Sequence, residues 1–373
     1  MPGPADFLSK DRSDNLESLM VNPGTILQTC SGRNLGPAVV ADDYLCRFAF
    51  SHDLVRIYIE DEVERLTALA YLRTERGKQA ITRDRAGSVI DHLTPGQVGA
   101  VVIPDFGSEL ALAVSSALRR AGRLRSLARR RLRSLQARAE ALVPAPPEGL
   151  LADGWPVSST VLTGRVDAAF YTPFVSDVRR GLGAAGAPSV NDLAEVNKPG
   201  GRYSPRYVDP QYGEPLLSGR QILQWFPIAL KHVAPISFRD VAPYRLTPGT
   251  IVYQADGRAE EGLGTPSVVT ESRRGWLASG HVGRLVARPG TQWGALYLGL
   301  ATRQAQAQIR AAASGSVVDS TFVEDMSAVL MPPVTTAMAC SAERSWRAIA
   351  EADRLERTAT VELESSLQAE DAA

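Results

Sequence analysis

The sequence predicts an α+β protein made of two related domains, the first lacking its front part. Each domain runs into a long helix, and the two helices are expected to pair as an antiparallel coiled coil. Three observations carry this expectation. A five-residue stretch occurs twice, as Gly87-Ser88-Val89-Ile90-Asp91 and Gly315-Ser316-Val317-Val318-Asp319, a shift of 228 positions from 87 to 315. The same shift carries Ser51 onto Ser279, Arg56 onto Arg284, Ile81 onto Ile309 and Pro104 onto Pro332. Finally, each copy is followed by a long helical pattern, and the two patterns carry opposite charge. Short periods signal solenoids, whereas a period this long signals two copies of one folded unit.

The repeat begins upstream, where Pro23-Gly24-Thr25-Ile26 matches Pro248-Gly249-Thr250-Ile251 at a shift of 225. The remaining three positions fall in a glycine loop, longer between Gly257 and Gly264 than between Gly32 and Gly36. In the first copy, Thr25 to Leu27 and Ala38 to Val40 read as strands, and Phe48 to Ile59 continues in that style. Leu66, Leu69, Ala70, Leu72 and Ile81 recur with helical spacing, and Val98 to Pro104 reads as a strand after the Gly87 loop. The second copy repeats this order, with one helix expected over 293–313.

The first long helix, expected over 108–143, places Leu110, Val114, Ala117, Ala121, Leu124, Ala128, Leu132, Leu135, Ala139 and Leu142 on one seam. Pro144-Ala145-Pro146-Pro147 ends it. Nine arginines, from Arg119 to Arg138, crowd its flanks. The second, over 338–367, carries Glu343, Glu351, Asp353, Glu356, Glu362 and Glu364. Opposite charges favour pairing of the two, with arginine facing glutamate across the flanks. The expected divisions are 1–107, 108–146, 147–335 and 336–373. Residues 151–230 have no counterpart before the first copy.

At 373 residues, with 44% apolar and 22% charged residues, the chain has room for two cores. Lys and Arg total 41 and are balanced by 41 Asp and Glu, so a basic face must come from local patterning. Three unclustered cysteines (Cys30, Cys46, Cys340) fit a reducing compartment without a disulfide or zinc framework. There is no apolar run of the roughly 20 residues needed to span a bilayer, and the N-terminus lacks the apolar core of a signal peptide. The expectation is a cytoplasmic protein with no membrane partner.

Catalytic signatures are missing from the sequence. There is no P-loop, no helix-opening G-x-G-x-x-G after a strand, no Asn-Pro-Pro-aromatic motif, no G-x-S-x-G elbow and no H-E-x-x-H pair. No catalytic residue, metal site or cofactor is expected. The binding features point instead to nucleic acid. The loop from Lys198 to Tyr207 mixes Lys198, Arg202 and Arg206 with Tyr203, glycines and prolines. Flexible backbone approaches phosphates, while Arg and Tyr reach base edges and sugars; solvated loop charges are the plain alternative. Arg220, Gln221, Arg258, Arg273 and Arg274 extend the candidate surface. His281 is either structural or a DNA contact. Ser316, in the repeated loop, is either a turn cap or a contact.

The chain resembles the specificity (S) subunit of type I restriction-modification systems. The resemblance rests on Arg165 to Tyr171, Leu217 to Ile222, Tyr244 to Ile251, Ser279 to Leu285 and Ala313 to Asp319, in that order within a duplicated chain. It implies two target recognition domains, the first N-terminally truncated, whose helices space two readers of a split double-stranded DNA sequence. It also implies no catalysis, methyltransferase subunits as partners, two by pseudo-twofold symmetry, and restriction/translocase subunits as further candidates, all in antiviral defence. Two other readings stand beside it. One is a target-recognition adaptor of another phage-defence assembly; the other is an enzyme whose active site carries no recognised motif.

Overall fold

In a computed structural model the repeat is built from matching strands and turns. The structure describes residues 7–32, 35, 38–83, 92–147, 149, 154–199, 205–238, 240–259, 262–315 and 318–371. The chain divides into two units: 6–128 with 348–373, and 129–347.

The first unit starts with a one-turn helix α1 (Leu16–Leu19) and three strands, β1 (Ile26–Thr29), β2 (Ala38–Val40) and β3 (Leu54–Ile57). They form an antiparallel sheet in the order β2-β1-β3. Gly24 makes the turn into β1 at φ +89°, a left-handed conformation that glycine adopts without strain. Helices α2 (Glu62–Arg73), α3 (Glu75–Thr82) and α4 (Pro95–Gly99) follow, and then α5 (Gly107–Leu142). The single helix expected over 66–81 is therefore two. Thr74 is the break: its hydroxyl donates to the Tyr71 carbonyl (2.7 Å) and accepts from the Gly77 amide (3.0 Å), so it caps both sides at once. The expected strand at 98–104 is instead the end of α4 followed by residues without regular secondary structure. The Gly87 to Asp91 copy of the repeated stretch lies outside the described residues.

The second unit opens with α6 (Pro173–Ala184) and α7 (Val190–Leu193), which runs directly into β4 (Ala194–Asn197). Strands β5 (Tyr207–Val208), β6 (Glu214–Leu217) and β7 (Lys231–Val233) come next, then β8 (Ile251–Gln254), β9 (Asp256–Gly257), β10 (Pro266–Val268), β11 (Leu277–Ala278) and β12 (Val282–Ala287). Helices α8 (Trp293–Ala301) and α9 (Arg303–Ala312), strand β13 (Asp319–Ser320), α10 (Val323–Ser327) and α11 (Thr336–Asp371) complete the chain. The sheet β10-β8-β12-β4 repeats β2-β1-β3 and adds β4 at its edge, while β11-β6-β7-β5 has no counterpart among the described residues of the first unit.

The duplication holds at the level of single hydrogen bonds. Leu27 pairs with Arg56 and Val39, and Val252 pairs with Arg284 and Ser267, the equivalent positions. Arg56 Nη2 donates to the carbonyls of Leu19 and Phe50; Arg284 Nη2 donates to those of Tyr244 and Ala278, again equivalent. Thr302 breaks α8 from α9 as Thr74 breaks α2 from α3.

The long helices fall close to their expected bounds and are divided between the units. In the first unit Val114 and Leu118 of α5 share one core with Ala359 and Leu363 of α11, together with Ile26, Leu69 and Val98. Further along α5, Arg125 meets residues nearer the start of α11, so the two stretches run antiparallel here. In the second unit Trp346 of α11 packs on Tyr297 and Trp225, and the Arg129 guanidinium lies over the Trp225 ring. The expected apolar seam needs one correction. Leu124 is only half-buried, and Arg125 and Arg129 are buried instead. Arg125 grips Glu356 with both nitrogens (2.8 Å each) and donates to Asp353 (3.1 Å); Arg73 lies 3.5 Å from the same Glu356 carboxylate. Opposite charges therefore meet inside the seam as well as on its flanks.

Burial alone would push the Glu356 carboxyl up, but Arg73 and Arg125 outweigh it and hold it below the usual carboxylate range. Removing one partner of such a group leaves buried charge uncompensated, at about 3–5 kcal/mol. Arg125→Met should lower stability by about that amount in urea denaturation. Glu356 has a folded pKa below its unfolded value. Its contribution is thus full above the ordinary carboxylate pKa of about 4.3 and is lost as pH falls through the lower folded value. A Glu356→Gln variant should show a flatter stability curve on acidification than the parent chain.

Candidate nucleic-acid interface

A polar cluster of the second unit lies where β8 gives way to β9. The Ala255 amide donates to His281 O (2.9 Å) and its carbonyl accepts from the Thr321 amide (2.8 Å), which fixes the backbone leading into Asp256. Strand β9 then pairs antiparallel with β13, setting Asp256 opposite Ser320 and Gly257 opposite Asp319. Three side chains converge on the Asp256 carboxylate: Lys198 Nζ at 2.8 Å and Ser320 Oγ at 2.7 Å on Oδ1, and His281 Nδ1 at 2.7 Å on Oδ2. Burial pushes this carboxyl up, but the hydrogen bonds from Lys198, Ser320 and His281 more than offset it and hold it below the usual range.

The ends of the repeated motif support this cluster. Ser314 and Ser320 exchange backbone hydrogen bonds (3.1 and 2.9 Å), and a Cβ on Gly315 would collide with the Val318 carbonyl. That close approach explains the glycine. Asp319 ties the motif to the glycine loop by accepting from the Ala259 amide (2.9 Å). In the first unit the positions of Asp256 and Ser320 are held by Ser31 and His92, which form their own pair at 2.9 Å. The polar contact survives there without the carboxylate and the lysine.

The other candidates are distributed as follows. His281 and Arg258 are exposed, and Lys198 is half-buried beside them. Arg206 is exposed next to β5, with its amide on Ser237 Oγ (2.9 Å). Arg274 is exposed and pairs with Glu271. Gln221 and Arg273 are buried and held by the chain itself. Gln221 caps Ser218 through its Oε1 and donates to Ile228 O (2.7 Å), and Arg273 donates to the carbonyls of Ile222 and Gln224. Together they staple the 218–228 turn. Arg202, Tyr203 and Ser316 lie outside the described residues, and so does the side chain of Arg220.

Sequence reasoning missed Lys231. Its ammonium lies 4.3 Å from the Tyr207 ring centroid, so β5 and β7 present a basic and aromatic surface beside Arg206. The only signal for it was Lys231-His232-Val233, a run too short for strand alternation to be read. Arg165, from the 165–171 motif, is a tether: it binds Asp167 and Asp325 and donates to Ala312 O (3.0 Å). Among the described residues, no group of His, Cys, Asp and Glu could hold a metal ion, and no helix is long and apolar enough to cross a membrane.

No family model matches the chain, and no curated protein matches it. Solved structures similar to it include the type I restriction-modification system S subunit from M. genitalium, at 14% identity and a TM-score of 0.32, over 94% of this chain and 81% of that one. The HsdS subunit from Thermoanaerobacter tengcongensis is similar at 14% identity and a TM-score of 0.32, over 93% and 81%. A third structure, concerning complex assembly and conformational transition of the type I R-M system, is similar at 14% identity and a TM-score of 0.29, over 94% and 78%.

The Asp256 cluster yields a direct expectation. Asp256→Asn weakens three hydrogen bonds in a partly buried site and should lower stability by about 1–3 kcal/mol. A shift of the urea midpoint without a change in slope would register it.

Proposed function

We propose that this chain is a sequence-specific DNA-recognition subunit that directs a restriction-modification methyltransferase/endonuclease complex to its target. The observation that carries the reading is the duplication of a whole unit down to equivalent hydrogen bonds of Arg56 and Arg284, with long helices running on from both copies. A split DNA sequence calls for that kind of chain: two related units, each followed by a long helix. The resemblance of five ordered motifs to type I specificity subunits points the same way.

Within this reading the second unit reads DNA. Arg206, Tyr207 and Lys231 supply a basic and aromatic face, Lys198, Arg258 and His281 a second basic group, and Arg202, Tyr203, Arg220, Arg274 and Ser316 are further candidates. The first unit acts as a scaffold that holds helices and partner. Methyltransferase subunits, two per chain, bind the helices and the outer faces, and restriction/translocase subunits join through them. The chain itself performs no catalysis and needs no cofactor, and it works in the cytoplasm.

Selection from a random double-stranded DNA library with the purified chain tests this. One specified half-site should be enriched, and affinity should fall linearly with salt on logarithmic axes. Arg202→Ala with Arg206→Ala should weaken binding to the enriched site by about 1–3 kcal/mol for each base that these side chains read. Failure to enrich any sequence at low salt, or turnover by the chain alone in a methylation assay, would sink the proposal.

A further inference from the structure

The cluster on Asp256 gives His281 a fixed hydrogen-bond polarity. His281 lies in a tight turn that leads into β12. The Ser279 amide donates to Leu217 O (2.9 Å), the Val282 amide to Ser279 O (3.0 Å), and His281 O accepts from the Ala255 amide (2.9 Å). Val282 then pairs with Gln254. The imidazole thus stands on pinned backbone, and its partner is pinned as well. The Asp256 side chain is 15% exposed, Lys198 Nζ and Ser320 Oγ hold its carboxylate, and its backbone carbonyl accepts from Gln254 Nε2 (3.0 Å).

An ionised carboxylate only accepts hydrogen bonds. The His281 Nδ1, 2.7 Å from Asp256 Oδ2, therefore carries the hydrogen between them. In the neutral ring this leaves Nε2 as a bare acceptor. Lys198 already balances the charge of Asp256, so the contact needs no positive charge on the ring. The His281 side chain is 74% exposed, and among the described residues no hydrogen bond reaches its Nε2.

The first unit carries the same three side-chain types at the same three backbone positions, in rotated assignment. The Cys30 amide donates to Asp53 O (3.1 Å) as the Ala255 amide does to His281 O, and Cys30 O accepts from the Leu93 amide (2.8 Å) as Ala255 O does from Thr321. Ser31, Asp53 and His92 therefore stand where Asp256, His281 and Ser320 stand in the second unit. An exposed imidazole is again held by Nδ1, here with His92 on Ser31 Oγ at 2.9 Å. A hydroxyl can donate or accept, so it leaves the His92 tautomer free. Each unit keeps a tethered imidazole at this end, and in the second a carboxylate sets its polarity.

We propose that His281 is a specificity-determining residue whose Nε2 accepts a hydrogen bond from the exocyclic amino group of a base, adenine N6 or cytosine N4, in the major groove. This rests on the reading of the chain as a DNA-recognition subunit. Phosphate oxygens, guanine O6 and N7 and thymine O4 are all acceptors and offer Nε2 no hydrogen, so the same geometry rejects guanine and thymine as the contacted base. Beside Lys198 and Arg258, His281 contributes polarity rather than charge. Asp256 is a positioning residue that acts through the ring.

The first measurement needs no DNA. Nitrogen NMR of the full chain with isotope-labelled histidine, at about pH 8 and so above the ordinary imidazole range, should show His281 protonated on Nδ1 and bare on Nε2. The His281→Ala spectrum assigns the signal. Protonation on Nε2 overturns the proposal whatever the chain binds. The second measurement uses the DNA site that the parent chain enriches. Amino groups are removed one at a time, with purine in place of adenine and pyrimidin-2-one in place of cytosine. At one position the parent should lose about tenfold in affinity. His281→Ala should show a similar loss on the unmodified site and no further loss with that analogue. Asp256 keeps Lys198 and Ser320 in this variant, so its thermal melt should match the parent. Equal base frequencies at every position in the sites enriched by parent and variant overturn the proposal and leave the DNA reading standing. No enrichment by the parent chain removes both.

Discussion

The buried ion cluster of Arg125 with Asp353 and Glu356 holds together stretches of chain that nothing local would bring near each other. Arg125 and Asp353 stand 228 residues apart, which is the period of the duplication. Each helix therefore meets the other at its own equivalent position. An unaltered duplication would place identical residues face to face there, and two buried arginines or two buried carboxylates would repel. Divergence into opposite charges removes that conflict. It also opposes pairing of either helix with a copy of itself, because like charges would then be buried together. Burial makes this selectivity strong, as water screens little of it.

The rest of each unit is arranged around the same duplicated frame. The guanidiniums of Arg56 and Arg284 gather carbonyls from a preceding turn and from the segment before their own strand, and so pin the sheet to its lead-in. Where the copies are free to differ, they do so at one polar end. Ser31 and His92 in one copy stand at the backbone positions of Asp256 and Ser320 in the other, where Lys198 and His281 join the carboxylate, so the charge differs. A shared frame with a variable polar tip is a simple way to give related units different ligands.

Much of this frame was legible in the sequence. The register of the repeat, the ends of α5 and α11 and their opposite charges all follow from spacing and composition. The breaks at Thr74 and Thr302 did not show, since threonine within a helical pattern signals neither interior nor cap until its hydroxyl finds a partner. The sheet β11-β6-β7-β5 was also hidden, because its strands are short and interrupted by Gly, Pro and Tyr and read as a polar loop. Gln221 and Arg273 looked like surface residues by type alone; only the fold reveals that backbone carbonyls surround them. Arg125 in the seam illustrates the same limit, since a charge enters a core only when its partners, here from far along the chain, arrive with it.

The first unit is discontinuous, and this bears on how the protein is made. Its core takes Val114 and Leu118 from one end of the chain and Ala359 and Leu363 from the other. Among the described residues the second unit is a single stretch, 129–347. During synthesis it has all its residues before the first unit has its own, so the unit that begins first is finished last. Until the C-terminal helix emerges, Val114, Leu118 and the Arg125 guanidinium wait without their partners. The chain is then most exposed to aggregation and most dependent on chaperones. Closing a contact across 231 residues adds a further entropic delay.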